Sequence, residues 1–225
     1  MHLNSKLLFT KYAAGLFQEG YKVLEIGPSA NPSEFRRAVG LEAIQWDTID
    51  FADSTFIGSA VNKLTYRLSE PYNFPIADNF YDIVLSGQVI EHVEKIWDWM
   101  KEIKRITKKG GLIITINPTS WPYHEAPVDC WRIYPEGVAA LASELDLHVE
   151  TCLCESLEEK ELKSKIKRIK TIPGTSYTFN NINFRRMRVI TALNRIISHL
   201  PIRRADHFWI TIEVAYDTIS ILRKV

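Results

Sequence analysis

Along the chain the apolar positions switch between two repeats. Stretches of period two, in which apolar residues alternate with polar ones or cluster in twos and threes, take turns with stretches in which apolar residues recur every three or four positions. The first kind predicts strands over 21–26, 43–50, 81–87 and 112–117, and again over 146–155 and 207–216. The second predicts helices over 5–18, 32–40, 88–93 and 95–107, the last stopped by Gly110-Gly111. Pro135, followed by Glu136, fits the first turn of a helix running to about residue 144. Strand and helix in alternation predict a doubly wound, mostly parallel α/β sheet with helices on both faces.

Composition narrows this picture without changing it. With 225 residues, 46% of them hydrophobic and 24% charged, the chain suits one folded domain and not a disordered one. The net charge of +1 hides an asymmetry: residues 157–206 hold twelve Lys or Arg against four acids. That segment reads as a basic, partly helical insertion before the last strand. It fits a cover over a cleft, an anionic membrane surface or phosphates. Within it Val189, Leu193, Ile196, Ile197 and Leu200 form one helical stripe, with Arg188 and Arg195 mostly off it, and the plainest expectation packs that stripe on the sheet. No apolar run approaches the ~20 residues that a bilayer requires. Cys130, Cys152 and Cys154 make no zinc-binding pattern and suit reduced thiols, so a cytoplasmic location is expected.

The stretch with the most chemistry in it is "VLEIGPSANP", Val23 to Pro32. An apolar strand ends in a glycine turn, the point at which open α/β sheets bind ligands. A dinucleotide asks for G-x-G-x-x-G so that pyrophosphate can meet the backbone, and two of the three glycines are missing. The loop therefore suits a cofactor without phosphates, such as S-adenosylmethionine. Asp50 ends the second strand twenty-three residues after Gly27, where a carboxylate can accept both ribose hydroxyls; Asp47 is the alternative.

Four pieces in order resemble a class I S-adenosylmethionine-dependent methyltransferase of the type 11 group. They are "VLEIGPSANP", "WDTID", "SEPYNFPIADNFYDIVLSGQVIEHV" and "EIKRITKKGGLIITINP". The resemblance covers 21–145 well and 1–20 loosely. It implies a Rossmann-like seven-stranded sheet in one domain: an N-terminal helix over 1–20, a cofactor-binding core over 21–150, the basic insertion over 157–206, and the last strand and tail over 207–225. It also implies that Glu25, Gly27, Pro28 and Ser29 hold the methionine part of the cofactor, Asp50 the ribose and Glu70 the adenine amino group. Ser86 and Gln88 would border the methionine end. Ser29 departs from the family's second glycine.

Beyond "LIITINP" the sequence "TSWPYHEAPVDCWRIYP" crowds polar and aromatic residues at the same sheet edge. An imidazole with an ordinary pKa near ~6.5 suits deprotonating a hydroxyl, so His124 is the candidate base and Asp129 its orienting acid. Trp121 and Trp131 suit stacking walls for sugars or bases. Glu91 and His92 of "QVIEHV", with His124, offer a carboxylate and two imidazoles. Gln88 stands where a metal site would want another carboxylate, so no metal is expected. The segment "YHEAPVDCWR" resembles a branch attached to bacterial surface-polysaccharide pathways. The expected activity is thus O-methylation of a saccharide or other small, in part anionic, hydroxyl acceptor. RNA or a small aromatic metabolite is the alternative acceptor, and a non-catalytic binding module the alternative class.

Overall fold

The computed structural model describes residues 3–51, 64–125, 127–165, 169–174, 189, 192, 193, 196 and 210–225. Its centre is a seven-stranded sheet in the spatial order Tyr66–Leu68, Gln45–Phe51, Lys22–Ile26, Tyr81–Gly87, Thr107–Ser120, Tyr216–Lys224 and Leu147–Glu155. β1 (Lys22–Ile26), β2 (Gln45–Phe51), β3 (Tyr66–Leu68), β4 (Tyr81–Gly87) and β5 (Thr107–Ser120) pair in parallel. β9 (Tyr216–Lys224) lies antiparallel between β5 and β6 (Leu147–Glu155). The central strands are buried along nearly their whole length because helices cover both faces, so apolar residues such as Val23, Leu24, Ile83, Val84 and Leu85 stand next to one another in them.

On one face α3 (Ile96–Ile106) and α4 (Pro135–Glu144) pack. Ile96, Trp99, Met100, Ile103 and Ile106 make one stripe on α3, spaced at three and four residues, and close onto Leu24, Val84 and Ile113. On the other face α1 (Leu3–Tyr12) and α2 (Glu34–Val39) enclose Leu8, Phe9 and Phe35 with Ile83, Leu85 and Ile114.

Several elements differ from the sequence pattern for identifiable reasons. The helix expected over 5–18 ends at Tyr12, and a 3-10 turn over Ala14–Leu16 brings Phe17 onto the ring of Trp46. α2 begins at Glu34, because the Ser33 side chain accepts a hydrogen bond from the Arg36 backbone and so caps it. The expected helix over 88–93 is one 3-10 turn, Ile90–His92, entered through Gln88 at φ +59°. Gly110-Gly111 does not stop a helix. α3 has already ended at Ile106, and the glycines bend β5, whose register jumps from Tyr81↔Thr107 to Ile83↔Leu112.

The largest correction concerns the last strand. Residues expected to form it make β8 (Ile210–Val214), which pairs with β7 (Ile169–Pro173) in a separate two-stranded ribbon. The seventh strand of the main sheet is β9, in the stretch expected to be a tail. Both runs have strand-like patterns, but only β9 offers Ile219, Ile221 and Leu222 as a two-faced filler between β5 and β6. Within the basic stretch, α5 (Leu157–Lys165) and β7 are described. Of the apolar stripe, Val189, Leu193 and Ile196 are exposed instead of packed, while Ile197, Leu200, Arg188 and Arg195 lie outside the described residues. Among the described residues no helix is long and apolar enough to cross a membrane.

Candidate active site

The C-terminal ends of β1, β2 and β4 lie side by side, with the Gly27 turn at their edge. Gly27 leaves β1 with φ +69°, and its amide donates to the Ile49 carbonyl at 3.0 Å. Since Ile49 precedes Asp50, that single bond sets the carboxylate beside the glycine turn across twenty-three residues of chain. One Asp50 oxygen accepts from the Phe51 amide at 2.7 Å. Asp47 sits deeper in the sheet, paired in register with Leu24 and bonded to Tyr81 and Gln45 at 2.9 and 2.8 Å. Asp47 is buried, whereas Asp50 is part-exposed near the end of β2.

A Cβ on Gly27 would come within 2.4 Å of Val89 Cγ2, so the turn and the segment after β4 are in direct contact. Pro28 is buried and Ser29 exposed. Glu25 does not face this edge. Its carboxylate accepts from Ser33 Oγ at 2.5 Å and Trp46 Nε1 at 2.8 Å, bracing the turn from beneath through the cap of α2. Burial pushes its carboxyl up to about 7, against those two donors. Glu70 is exposed just past β3, at the same edge. Ser86 is buried near the end of β4 between Ile26 and Thr115.

Gln88 is turned elsewhere. Its amide nitrogen donates to Ser5 Oγ at 3.0 Å and to Asp217 Oδ1 at 3.1 Å. Asn4 and Ser5 donate to the other Asp217 oxygen, so a fully buried acid from β9 ties the start of α1 to the segment after β4. No local pattern marks Asp217, whose partner lies 129 residues away in the chain.

The loop after β5 folds back over the same edge, where Cys130 donates its amide to the Glu91 carbonyl at 2.7 Å. Asp129, whose side chain is buried, takes a two-pronged pair from Arg132 at 2.5 and 2.7 Å and the His124 amide at 2.8 Å. The guanidinium holds the Asp129 carboxyl down at about 2. His124 Nδ1 lies 3.4 Å from Asp129 Oδ2 and 3.1 Å from the Pro122 carbonyl. The His92 ring meets His124 edge-on at 4.9 Å. Burial lowers the pKa of His92, and it raises that of Glu91 to about 8. One ligand-capable atom from each of Glu91, His92 and His124 lies within 4.8 Å of the others. Beside them Trp121, Tyr123, Asp129, Cys130, Trp131 and Arg132 line a groove of about 300 Å³.

Residues 9–115, about the span from α1 to mid β5, match the family described as a methyltransferase domain. Over this stretch the chain is similar to a methyltransferase domain. An uncharacterized methyltransferase of Mycobacteroides abscessus is 33% identical over 115 residues, covering 48% of this chain and 44% of its own length. One of Mycobacterium bovis is 45% identical over 47 residues, 21% of this chain and 18% of that one. The chain thus spans less than half the length of these curated relatives. Among solved structures, an S-adenosylmethionine-dependent methyltransferase from Archaeoglobus fulgidus superposes with a TM-score of 0.56 at 17% identity, covering 97% of this chain and 92% of that one. A Haemonchus contortus phosphoethanolamine N-methyltransferase, solved with S-adenosylmethionine, gives 0.57 at 13% identity over 99% of this chain and 52% of its own. At these identities the likeness is one of fold. The methyltransferase-domain match ends before the loop over 121–134, so the acceptor side must be read from this chain's own residues.

Proposed function

We propose that the protein methylates a hydroxyl of an uncharged acceptor with a flat face, a saccharide-type molecule of surface-glycan biosynthesis being the best fit. The observation that carries this reading is the groove beside His124. Trp121, Tyr123 and Trp131 supply its aromatic lining. Its one cation, Arg132, is committed to Asp129 and to the carbonyls of Trp121, Pro122 and Trp131. A groove whose charges are already paired favours a neutral ring that stacks over an anion that needs a free guanidinium.

The residues present fit the donor. Gly27 gives the backbone turn that the close contact with Val89 demands, and the bond from its amide to Ile49 sets Asp50 at the same edge for a ribose. Gly27, Pro28, Ser29 and Ser86 would surround the methionine part, and Glu70 would meet the adenine. Glu25 and Gln88 hold these elements in place from behind. When bound, the donor supplies a methyl group on a sulfonium, whose departure leaves a neutral thioether. Positioning therefore provides much of the rate, and activation of the acceptor oxygen the rest. That activation belongs to the loop that carries His124, whose imidazole lies against Asp129, itself paired with Arg132.

Incubation with methyl-labelled donor and a panel of free sugars, nucleotide sugars, lipid-linked glycans and RNA tests the proposal. Label should enter a glycan, and Trp131→Ala should raise the acceptor KM while sparing donor binding. Label entering RNA alone, with uptake falling steeply as salt rises, would replace the glycan by a polynucleotide. Failure to bind S-adenosylhomocysteine at all would leave a fold without the activity.

A further inference from the structure

Glu91 is a buried carboxyl group at the acceptor edge that takes no part in the contacts holding His124 and Asp129. Its side chain is fully buried in the turn after β4, and neither oxygen has a hydrogen-bond partner. Buried polar groups in folded proteins are hydrogen-bonded or bound to a metal. The nearest nitrogen is His92 Nε2, 3.8 Å from Glu91 Oε1. On the far side of that ring Nδ1 lies 2.6 Å from the Val128 carbonyl, which accepts only from a protonated nitrogen. The lone pair of His92 is therefore on Nε2, facing Glu91. His124 repeats the arrangement: its Nδ1 sits between the Pro122 carbonyl and Asp129 Oδ2, which leaves Nε2 as the acceptor. An imidazole whose outer N–H is held by a carbonyl or carboxylate, with the other nitrogen bare, is how proteins prepare histidine to bind a metal.

We infer that Glu91, His92 and His124 form a site for one divalent transition-metal ion, and that this ion takes the acceptor hydroxyl as a further ligand. The binding stands on these three side chains, and the role of the ion rests on the hydroxyl-acceptor reading above. Two imidazoles among three ligands favour Mn²⁺, Co²⁺ or Zn²⁺ over Mg²⁺ or Ca²⁺, which prefer oxygen donors. Ligand bonds of about 2.0–2.2 Å hold neighbouring donor atoms roughly 3–4 Å apart. The present spread of up to 4.8 Å closes with a small swing of His124, the most exposed of the three. Three protein ligands leave open positions, the mark of a site that handles substrate. A hydroxyl bound there loses its proton to solvent water more readily, so His124 serves as a ligand and need not accept the proton. Gln88, whose identity argued against a metal in the sequence, faces Ser5 and Asp217 and would take no part in the set.

The test titrates chelator-treated protein with Co²⁺, followed by visible absorption and calorimetry. Wild type should bind one equivalent, with absorption bands of imidazole-ligated cobalt. Glu91→Gln and His124→Asn should each weaken binding about tenfold or more. His124 is part-exposed on a loop, so its variant keeps the test valid if Glu91→Gln fails to fold. The same samples titrated with S-adenosylhomocysteine should bind it equally with and without Co²⁺, so that loss of the donor reading is seen separately. Absence of saturable Co²⁺ binding, or equal binding by His124→Asn, overturns the site. Turnover that survives exhaustive chelation overturns its role and returns His124 to accepting the proton itself.

Discussion

Substituting Gly27 by alanine tests the donor turn with a magnitude that comes from the structure. Two effects act at once. At φ +69° a residue with a Cβ pays for the left-handed conformation, about 1–2 kcal/mol. The new methyl also arrives 2.4 Å from Val89 Cγ2, an overlap that costs about 1–3 kcal/mol when neighbours must shift. Gly27→Ala should therefore lose roughly 2–5 kcal/mol of stability in urea unfolding, with S-adenosylhomocysteine affinity falling alongside. The two parts separate in a double-mutant cycle. Val89→Ala removes the obstructing methyl, so in that background Gly27→Ala should show only the conformational part, and the coupling should be about 1–3 kcal/mol. Additive effects, or a loss under about 1 kcal/mol for Gly27→Ala alone, would refute the close approach of the turn to the segment after β4.

Three further outcomes follow from the same geometry. Asp50→Ala should weaken S-adenosylhomocysteine binding about ten- to a hundredfold in calorimetry, the effect of one or two charge-assisted bonds, whereas Asp47→Ala should lower stability through Tyr81 and Gln45 and leave binding intact. Glu25 has its folded pKa raised by burial from 4.5 to about 7, so the proton it holds in the folded state stabilises below about pH 4.5 and that contribution is lost as pH rises through 7. Urea unfolding of wild type against Glu25→Gln should thus show a difference that shifts against wild type by roughly 3 kcal/mol across that window, and a constant difference would refute the burial argument. Asp129→Asn should cut turnover at least tenfold with donor affinity unchanged, because it frees Arg132 and His124 while touching nothing at the Gly27 turn; a matching loss of donor affinity would refute the separation of the two sides.

What the sequence by itself determined lies where the information is local. The periods of apolar residues mark β1, β4, α4 and β6 within a residue or two, because a buried strand or an amphipathic helix must carry its own pattern. The turn after Val23–Ile26 and the acid at position 50 were legible for the same reason: a strand end, a glycine and a fixed spacing are all neighbours in the chain. Partnership is a different matter. Period says which face a residue takes, not which element covers it, so the pattern points to 207–216 as the last strand, whereas the sheet takes β9 from the expected tail to fill the space between β5 and β6. Asp47 and Asp50 differ by three residues, and only the register of β2 against β1 shows one held inside by Tyr81 and the other at the edge. The same holds for Gln88, whose amide bonds to Asp217, and for Glu25, whose carboxylate is taken by Ser33 and Trp46. Glu91 and His124 stand thirty-three residues apart and on different segments. The loop after β5, folding back to bond Cys130 to the Glu91 carbonyl, is what gathers them, because long-range hydrogen bonds and burial are properties of the folded chain.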